Sequence, residues 1–393
     1  PDWSRGLGDV YKRQTPYPLM IEVSKAKGSY IYDNDNNRYL DFVAGVSACS
    51  VGHCNEEVIN AIRNQSEKYM HVMVYGEFVT KPSLDLAKLL AKNLPKSLNS
   101  TYFTNSGTEA LEGSMKLARR HTGRKKIIAA KNAYHGSTMG ALTLMGLDER
   151  KKPFEPLIPD VEFIEFNSFQ DISKIDEKTS CVILETIQGS AGFILPTEGY
   201  LSSVKKKCKD VGALLILDEI QTGIGRTGKL FGFENFDCIP DIIVYGKGLG
   251  GGIPIGAFTS SKKLMDVLHV NPILGHITTF GANPVITAAA LQTLKIVLGS
   301  KIMESTLSKE KLLRQKLNHK LISEIRGVGL MLCLIMNDSE IANKLVLEAK
   351  NRGLILFWLL IEKRAVRITP PLTITDKEIE EGCDIILNIL DTI

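Results

Sequence analysis

Five short runs in the middle of the chain, residues 126–130, 161–166, 181–184, 213–217 and 241–245, are built largely from apolar residues without alternation. A strand that buries only one face alternates apolar and polar side chains. A run without alternation must instead be covered on both faces. Helical spacing occupies some of the intervals, at 109–121 and 200–211. Such strands separated by helices predict an α/β fold with a largely parallel sheet flanked by helices.

The flanks read differently. Residues 29–33 and 38–43 bracket the turn-rich Asp33-Asn34-Asp35-Asn36-Asn37, a hairpin pattern. Residues 56–70 and 84–94 carry helical spacing, with Pro82 near the start of the second. Toward the C-terminus, helical patterns over 305–325, 340–352 and 377–390 surround short strands near 330–335 and 365–368. The expected organisation is a segment 15–55 that joins a smaller unit, a large domain over 56–300, and a small α+β domain over 301–393. Residues 1–14 share no pattern with the rest and lack the apolar core of a signal peptide, so they are read as an appended tail.

Composition excludes several classes. The 393 residues carry 48 Lys+Arg against 44 Asp+Glu, and no basic block stands out, so neither nucleic acid nor an anionic membrane is expected as a partner. The longest apolar run, 353–361, falls well short of the ~20 residues a membrane-spanning helix needs. Seven cysteines with no Cys-x-x-Cys pair point to reduced thiols in a cytoplasmic protein. His53, His71 and His135 do not form metal-ligand spacing, and no metal is expected.

Three places could carry chemistry. The run 213–217 ends in Asp218-Glu219, which puts a carboxylate at the carboxyl end of a buried strand, where open α/β sheets place ligands. A nucleotide hydrolase would use such an acid to hold magnesium, but the chain has no Gly-x-x-x-x-Gly-Lys-Ser/Thr loop. The run 241–245 ends in Gly246-Lys247-Gly248-Leu249-Gly250-Gly251-Gly252. Its glycines satisfy Gly-x-Gly-x-x-Gly, yet Pro254 and the alternating residues around it leave no helix N-terminus for a pyrophosphate, so the dinucleotide reading is rejected. Lys247 is either a solvated loop lysine or a lysine that glycines allow a ligand to approach. Finally, Thr104-Asn105-Ser106-Gly107-Thr108-Glu109 precedes a helical stretch. It fits both a phosphate site and an ordinary capping box, and the two are compatible. A lysine, a strand-end aspartate and a phosphate cradle together suit pyridoxal 5'-phosphate, whose aldehyde needs an amine and whose ring nitrogen needs a carboxylate.

On these motifs the chain resembles the class III, ornithine and acetylornithine-like aminotransferases of the type I pyridoxal-phosphate fold. Leu40-Asp41-Phe42, Gly52-His53, Asn105 to Ala110, Tyr134-His135-Gly136, Asp218 to Gly223, Gly225 to Gly228, Gly246 to Gly252, Thr279 to Pro284 and Arg367 carry the resemblance in order. It implies a large domain with a seven-stranded, mostly parallel sheet and a smaller α+β domain. By the same resemblance Lys247 would bond the cofactor aldehyde and move the substrate Cα proton. Asp218 would pair with the ring nitrogen, and Gln221 would bond the ring hydroxyl. Tyr134 and Ile220 would cover the two ring faces, although either could equally be core. Ser106, Gly107 and Thr108 would hold the phosphate, joined by Thr279 of the partner subunit in a homodimer. His135 and Glu185 would support the cofactor site, and Arg367 would grip a substrate carboxylate unless it serves a structural salt bridge. The implied reaction is ping-pong transfer of an amino group from an amino acid or ω-amine to a 2-oxo acid, with 2-oxoglutarate the expected acceptor. Aminomutase, racemase and decarboxylase chemistries on the same fold, and a non-catalytic binding relative, are the alternatives.

The chain departs from the ornithine and acetylornithine pattern at three positions. Ser137 stands where those enzymes carry an arginine, Ser190 where they carry an acid, and Thr186 where a proline is common. Without an acid at 190, Arg367 lacks its usual counter-charge. Donor recognition should then differ from that of acetylornithine enzymes, with Arg367 the sole strong carboxylate ligand.

Overall fold

The computed structural model describes residues 19–393, so the expectation for residues 1–14 lies outside the described residues. Seven strands form the central sheet in the spatial order Ser100–Thr104, Gly256–Ser260, Ile242–Gly246, Leu214–Asp218, Thr179–Glu185, Lys126–Ala130 and Val161–Ile164. The uniformly apolar runs are explained by two-sided burial. Ile128, Val182, Leu215, Leu217, Ile243 and Tyr245 enter one apolar cluster, while Ile127, Ile183, Leu214, Ile216, Ile242 and Val244 enter another on the opposite face. Consecutive side chains of a strand point to opposite faces, so only a run apolar at every position can serve both.

Every pairing is parallel except those of Gly256–Ser260, which runs antiparallel to both neighbours. The cause is connection length. Only Lys247 to Ile255 separates that strand from Ile242–Gly246, with no crossover helix, and a connection that short returns the chain antiparallel. The bend turns on Gly251 and Gly252, at φ +60° and +106°. A helix was not expected after Gly248, and the chain forms a short 3₁₀ turn, Lys247–Gly250, before the antiparallel strand.

Two four-stranded sheets flank this core. One pairs Val23–Lys27, Tyr30–Asp33 and Arg38–Asp41 with Leu354–Ile355, so the early hairpin is joined to the C-terminal part of the chain. The other orders Ile322–Val328, Met331–Met336, Ala365–Ile368 and Phe357–Trp358, all antiparallel. Here one expectation is corrected. The helical pattern over 305–325 joins two elements: the helix Ile302–Lys316 and the strand Ile322–Val328. A register shift between Ile322 and Glu324 bulges that strand, so Ile322 and Ile325 both pack on the small core at a spacing that imitates a helix.

Candidate active site

The site lies on the carboxyl edge of the central sheet, where three adjacent strands end together. Glu185 pairs in register with Asp218, Asp218 pairs with Val244, and Lys247 follows directly after Gly246. Two carboxyls and an amine thus converge although they are far apart in sequence.

Asp218 is buried, and three contacts fix it. Its Oδ1 accepts from the Ile220 amide at 2.9 Å, its Oδ2 lies 2.7 Å from Nδ1 of His135, and its backbone carbonyl accepts from the Thr186 amide at 3.2 Å. His135 is fully enclosed. Burial alone would lower its pKa, but the hydrogen bond and charge of Asp218, with help from Glu185, hold it above the ordinary value. His135 Nε2 has no hydrogen-bond partner among the described residues. Next to Asp218, Glu219 is also buried and accepts from the Thr186 and Thr222 hydroxyls and the Gly232 and Phe233 amides. Those four donors anchor the strand end that presents Asp218.

Glu185 accepts from the amides of Tyr134 and Gly189 at 3.2 and 3.0 Å, which ties two loops over the site. Burial pushes its carboxyl up to about 7, with the His135 charge pulling the other way. Gln221 reaches Ser47, its Nε2 3.4 Å from the Ser47 hydroxyl. Ser47 ends the left-handed stretch Ala44 to Ser47, in which even the β-branched Val46 sits at φ +60°. Strain of that kind marks chain held by its surroundings at a functional site. No periodicity in the sequence singles Ser47 out.

Lys247 is itself at φ +37°, rare for a residue with a side chain. Burial, reinforced by the Arg367 charge, lowers its ammonium to about 8, against the pull of Asp218 and Glu185. A folded pKa below the ordinary lysine value means that the neutral amine is favoured from about pH 8 upward. In cofactor-free protein, the rate at which Lys247 reacts with an amine-directed acylating reagent should rise through an inflection near pH 8. Arg367→Leu, by removing a neighbouring positive charge, should move that inflection upward. Peptide mass spectrometry at residue 247 reads both values, and an inflection above pH 10 in the parent protein would contradict the assignment.

Arg367 comes from the small antiparallel sheet and is buried with its guanidinium 5.6 Å from the centre of the Phe193 ring. Among the described residues its Nε and Nη1 have no acceptor and no carboxylate bears on its charge, while burial lowers its pKa to about 10. No salt bridge to Arg367 forms among the described residues. Ser190 engages Ile361 and Glu362 through its carbonyl only, and Ser137 is exposed near the Tyr134 hydroxyl. Arg226, fully buried, bonds the carbonyls of Leu330 and Pro370 and the Ser50 hydroxyl, tying the loop after Asp218 to the small sheet.

The helix Gly107–Thr122 starts beside this cluster, with Ser106 as its cap. Ser106 Oγ accepts from the Glu109 amide at 3.3 Å, and Glu109 reaches back to the Asn105 amide at 2.7 Å, one residue beyond the expected capping-box partner. The amides of Gly107 and Thr108 donate to no acceptor among the described residues. Gly107 has no room for a Cβ because Ile220 would lie 2.7 Å from it, which sets Ile220 against the cradle. Tyr134 is half-buried. Thr279 is exposed and forms no hydrogen bond among the described residues.

Pyridoxal phosphate fits this arrangement. Two free amides at a helix N-terminus suit a phosphate, Asp218 retains lone pairs toward a ring N–H, and an amine stands beside them. Among the described residues no group of His, Cys, Asp and Glu could hold a metal ion, and no single helix is long and apolar enough to cross a membrane.

The aminotransferase class-III family model matches residues 10–390, and the chain belongs to that family of pyridoxal-phosphate-dependent enzymes. It is 38% identical over 400 aligned positions to an acetylornithine aminotransferase of Caldanaerobacter subterraneus subsp. tengcongensis, covering 98% of each chain. It is also 38% identical to a putrescine aminotransferase of Pectobacterium atrosepticum, over 88% of this chain and 77% of the other. Among solved structures, ornithine aminotransferase from Toxoplasma gondii superposes with a TM-score of 0.91 at 29% identity, covering 99% of this chain and 93% of its own. An (S)-enantioselective omega-transaminase from Thermomicrobium roseum gives 0.91 at 27%, covering 98% and 97%.

Proposed function

We propose that this aminotransferase takes its amino group from a donor bearing a carboxylate and passes it to a 2-oxo acid, with 2-oxoglutarate the expected acceptor, in two ping-pong half-reactions. The observation that carries the donor class is Arg367, a buried guanidinium with two unpaired nitrogens and no acidic neighbour among the described residues. A buried fork of this kind recovers its lost hydration only by binding a carboxylate. A diamine offers none, and Ser190 cannot stand in as a counter-charge. Ser137 likewise offers no ionic grip for a second, distal carboxylate, which argues against acetylornithine as the preferred donor.

The cofactor, when bound, supplies an electron-withdrawing ring that stabilises negative charge on the donor carbon. The rest falls to the chain. Lys247 Nζ would hold the cofactor at its aldehyde and, as the free amine, would take the proton from the donor Cα. Asp218 keeps the ring nitrogen protonated, and His135 orients Asp218. Ser106, Gly107 and Thr108 grip the phosphate, Tyr134 and Ile220 cover the ring faces, and Gln221 bonds the ring hydroxyl. Glu185 joins the loops around them.

The same reading makes the protein a homodimer in which Thr279 of the partner subunit completes the phosphate site. Its support is one exposed apolar surface: Met70, Phe78, Val79, Ile273, Ile277 and Phe280 are at least 47% exposed. The His71–Phe280 ring contact at 4.8 Å joins the two segments. The reading also divides the chain into a cofactor-binding domain over 56–300 and a small unit over 301–393 that 15–55 joins. Seven unpaired cysteines support a reducing, cytoplasmic setting.

Steady-state kinetics over a panel of amino acids, ω-amines and diamines tests the donor. Arg367→Ala should raise the KM for a carboxylate donor by about a hundredfold, the value of a charge-assisted bidentate pair, with a smaller effect on kcat. Rapid turnover of acetylornithine that survives Arg367→Ala would remove the proposal.

A further inference from the structure

A half-buried cluster links the helix Gly107–Thr122 to the loop after Tyr134. Glu112, on the helix Gly107–Thr122, turns its carboxylate toward the loop that follows Tyr134. Its Oε1 accepts from the Thr138 hydroxyl at 2.6 Å and from the Gly140 and Ala141 amides at 2.8 and 3.1 Å. Thr138 Oγ1 in turn lies 2.7 Å from Thr108 Oγ1. A carboxylate only accepts, so the Thr138 proton is committed to Glu112, and the proton shared by the two hydroxyls must come from Thr108. The Thr108 O–H therefore points at the loop and away from the cradle. Two close approaches strengthen the link. The positions a Cβ would take at Gly136, φ +127°, and at Gly140 are filled by the Thr108 side chain and the Glu112 carboxylate.

We propose that Glu112 is a positioning residue that clamps, through Thr138 and Thr108, the loop bearing Tyr134 and His135 to the helix offering the phosphate-binding amides. Tyr134 and the imidazole behind Asp218 then keep a fixed relation to the cradle. The phosphate is held by the backbone of Gly107 and Thr108, while the Thr108 hydroxyl serves the clamp. This rests on the cofactor site proposed above.

The test compares Glu112→Ala, Glu112→Gln, Thr138→Val and Thr108→Val with the parent. Hydrogen exchange over residues 134–143 is measured in cofactor-free protein, and pyridoxal-phosphate affinity and visible circular dichroism in the loaded protein. Glu112→Ala should speed exchange across the loop, lower the visible ellipticity and weaken cofactor affinity by about tenfold or more, as expected for losing hydrogen bonds to a charged group. Glu112→Gln, which keeps an acceptor oxygen, should restore all three to within about threefold. Thr108→Val, which breaks the same relay, should speed loop exchange and weaken affinity as Thr138→Val does. Parent-like exchange and ellipticity in Glu112→Ala would overturn the clamp. A loss of more than about tenfold in affinity for Thr108→Val, with loop exchange unchanged, would put its hydroxyl on the phosphate and overturn the assignment too. If Glu112→Ala does not fold, Thr138→Val, which breaks the relay but keeps the carboxylate, carries the same expectations. A failed cofactor site would show instead as parent protein that binds no pyridoxal phosphate, while the exchange results would still report on the clamp.

Discussion

Lys247→Ala is expected to lower turnover by about 10⁴-fold or more, because it removes both the proton carrier and the nucleophile for the cofactor. No neighbour can replace it. Of the other cations at the site, Arg367 keeps its proton, and His135 is enclosed with one nitrogen on Asp218. Glu185 is occupied by the amides of Tyr134 and Gly189. Borohydride reduction of the loaded parent protein, followed by peptide mapping, should leave the cofactor attached at residue 247. The variant should carry none there, while the amides of Gly107 and Thr108 and the Asp218 carboxylate still bind the cofactor reversibly. A small external amine that enters the vacated space should restore part of the activity. Attachment at any other lysine in the parent would overturn the assignment.

The sheet was legible in the sequence because burial on both faces leaves a mark at every position. The run 213–217 and the strand Leu214–Asp218 differ by one residue at each end, and the helix Tyr200–Val211 has the span its spacing indicates. Strands and helices with weaker signals were not legible. Ser100–Thr104, at the sheet edge, is polar at three of its five positions and needs only one neighbour. The helix Pro284–Gly299 is apolar nearly all round because it packs against both Glu56–Ser66 and Lys81–Asn93, so it shows little of the one-sided pattern that reveals a surface helix. The bulge at Ile322 gave a strand the spacing of a helix.

The site divides the same way. Lys247, Asp218 and Ser106 to Thr108 stand out locally, since each is a polar group at the end of an apolar run or the start of a helix. Their partners do not. His135 meets Asp218 from 83 positions away, and Gln221 meets Ser47 from 174. Glu112 reads in sequence as an ordinary helix-surface acid, and only the folded loop shows what it accepts. Recognition of Arg367 depended on resemblance, whereas its lack of a counter-ion is a property of the packed site.

Asp218→Asn should leave the fold intact and reduce turnover by about 10²–10³-fold, the cost of breaking a buried charge pair. The reason is a count of donors. In the loaded site the Ile220 amide, the His135 Nδ1–H and the ring N–H all need acceptors, and a carboxylate offers two oxygens with lone pairs for all three. Asparagine offers one oxygen and turns an NH₂ toward either His135 or the ring, setting donor against donor. If the oxygen stays with Ile220, the ring nitrogen loses its anion and gives up its proton, so the ring withdraws electrons poorly. The defect should therefore fall on proton removal: single-turnover formation of the aminated cofactor should slow, with donor affinity, which depends on Arg367, changing little. The His135 pKa, now held up by the Asp218 charge, should also fall in the variant, since burial would act unopposed by that charge. NMR titration of the imidazole reads this shift independently of activity. A variant that turns over within about threefold of the parent, with an unshifted His135, would show that the carboxylate at 218 does not govern the ring proton.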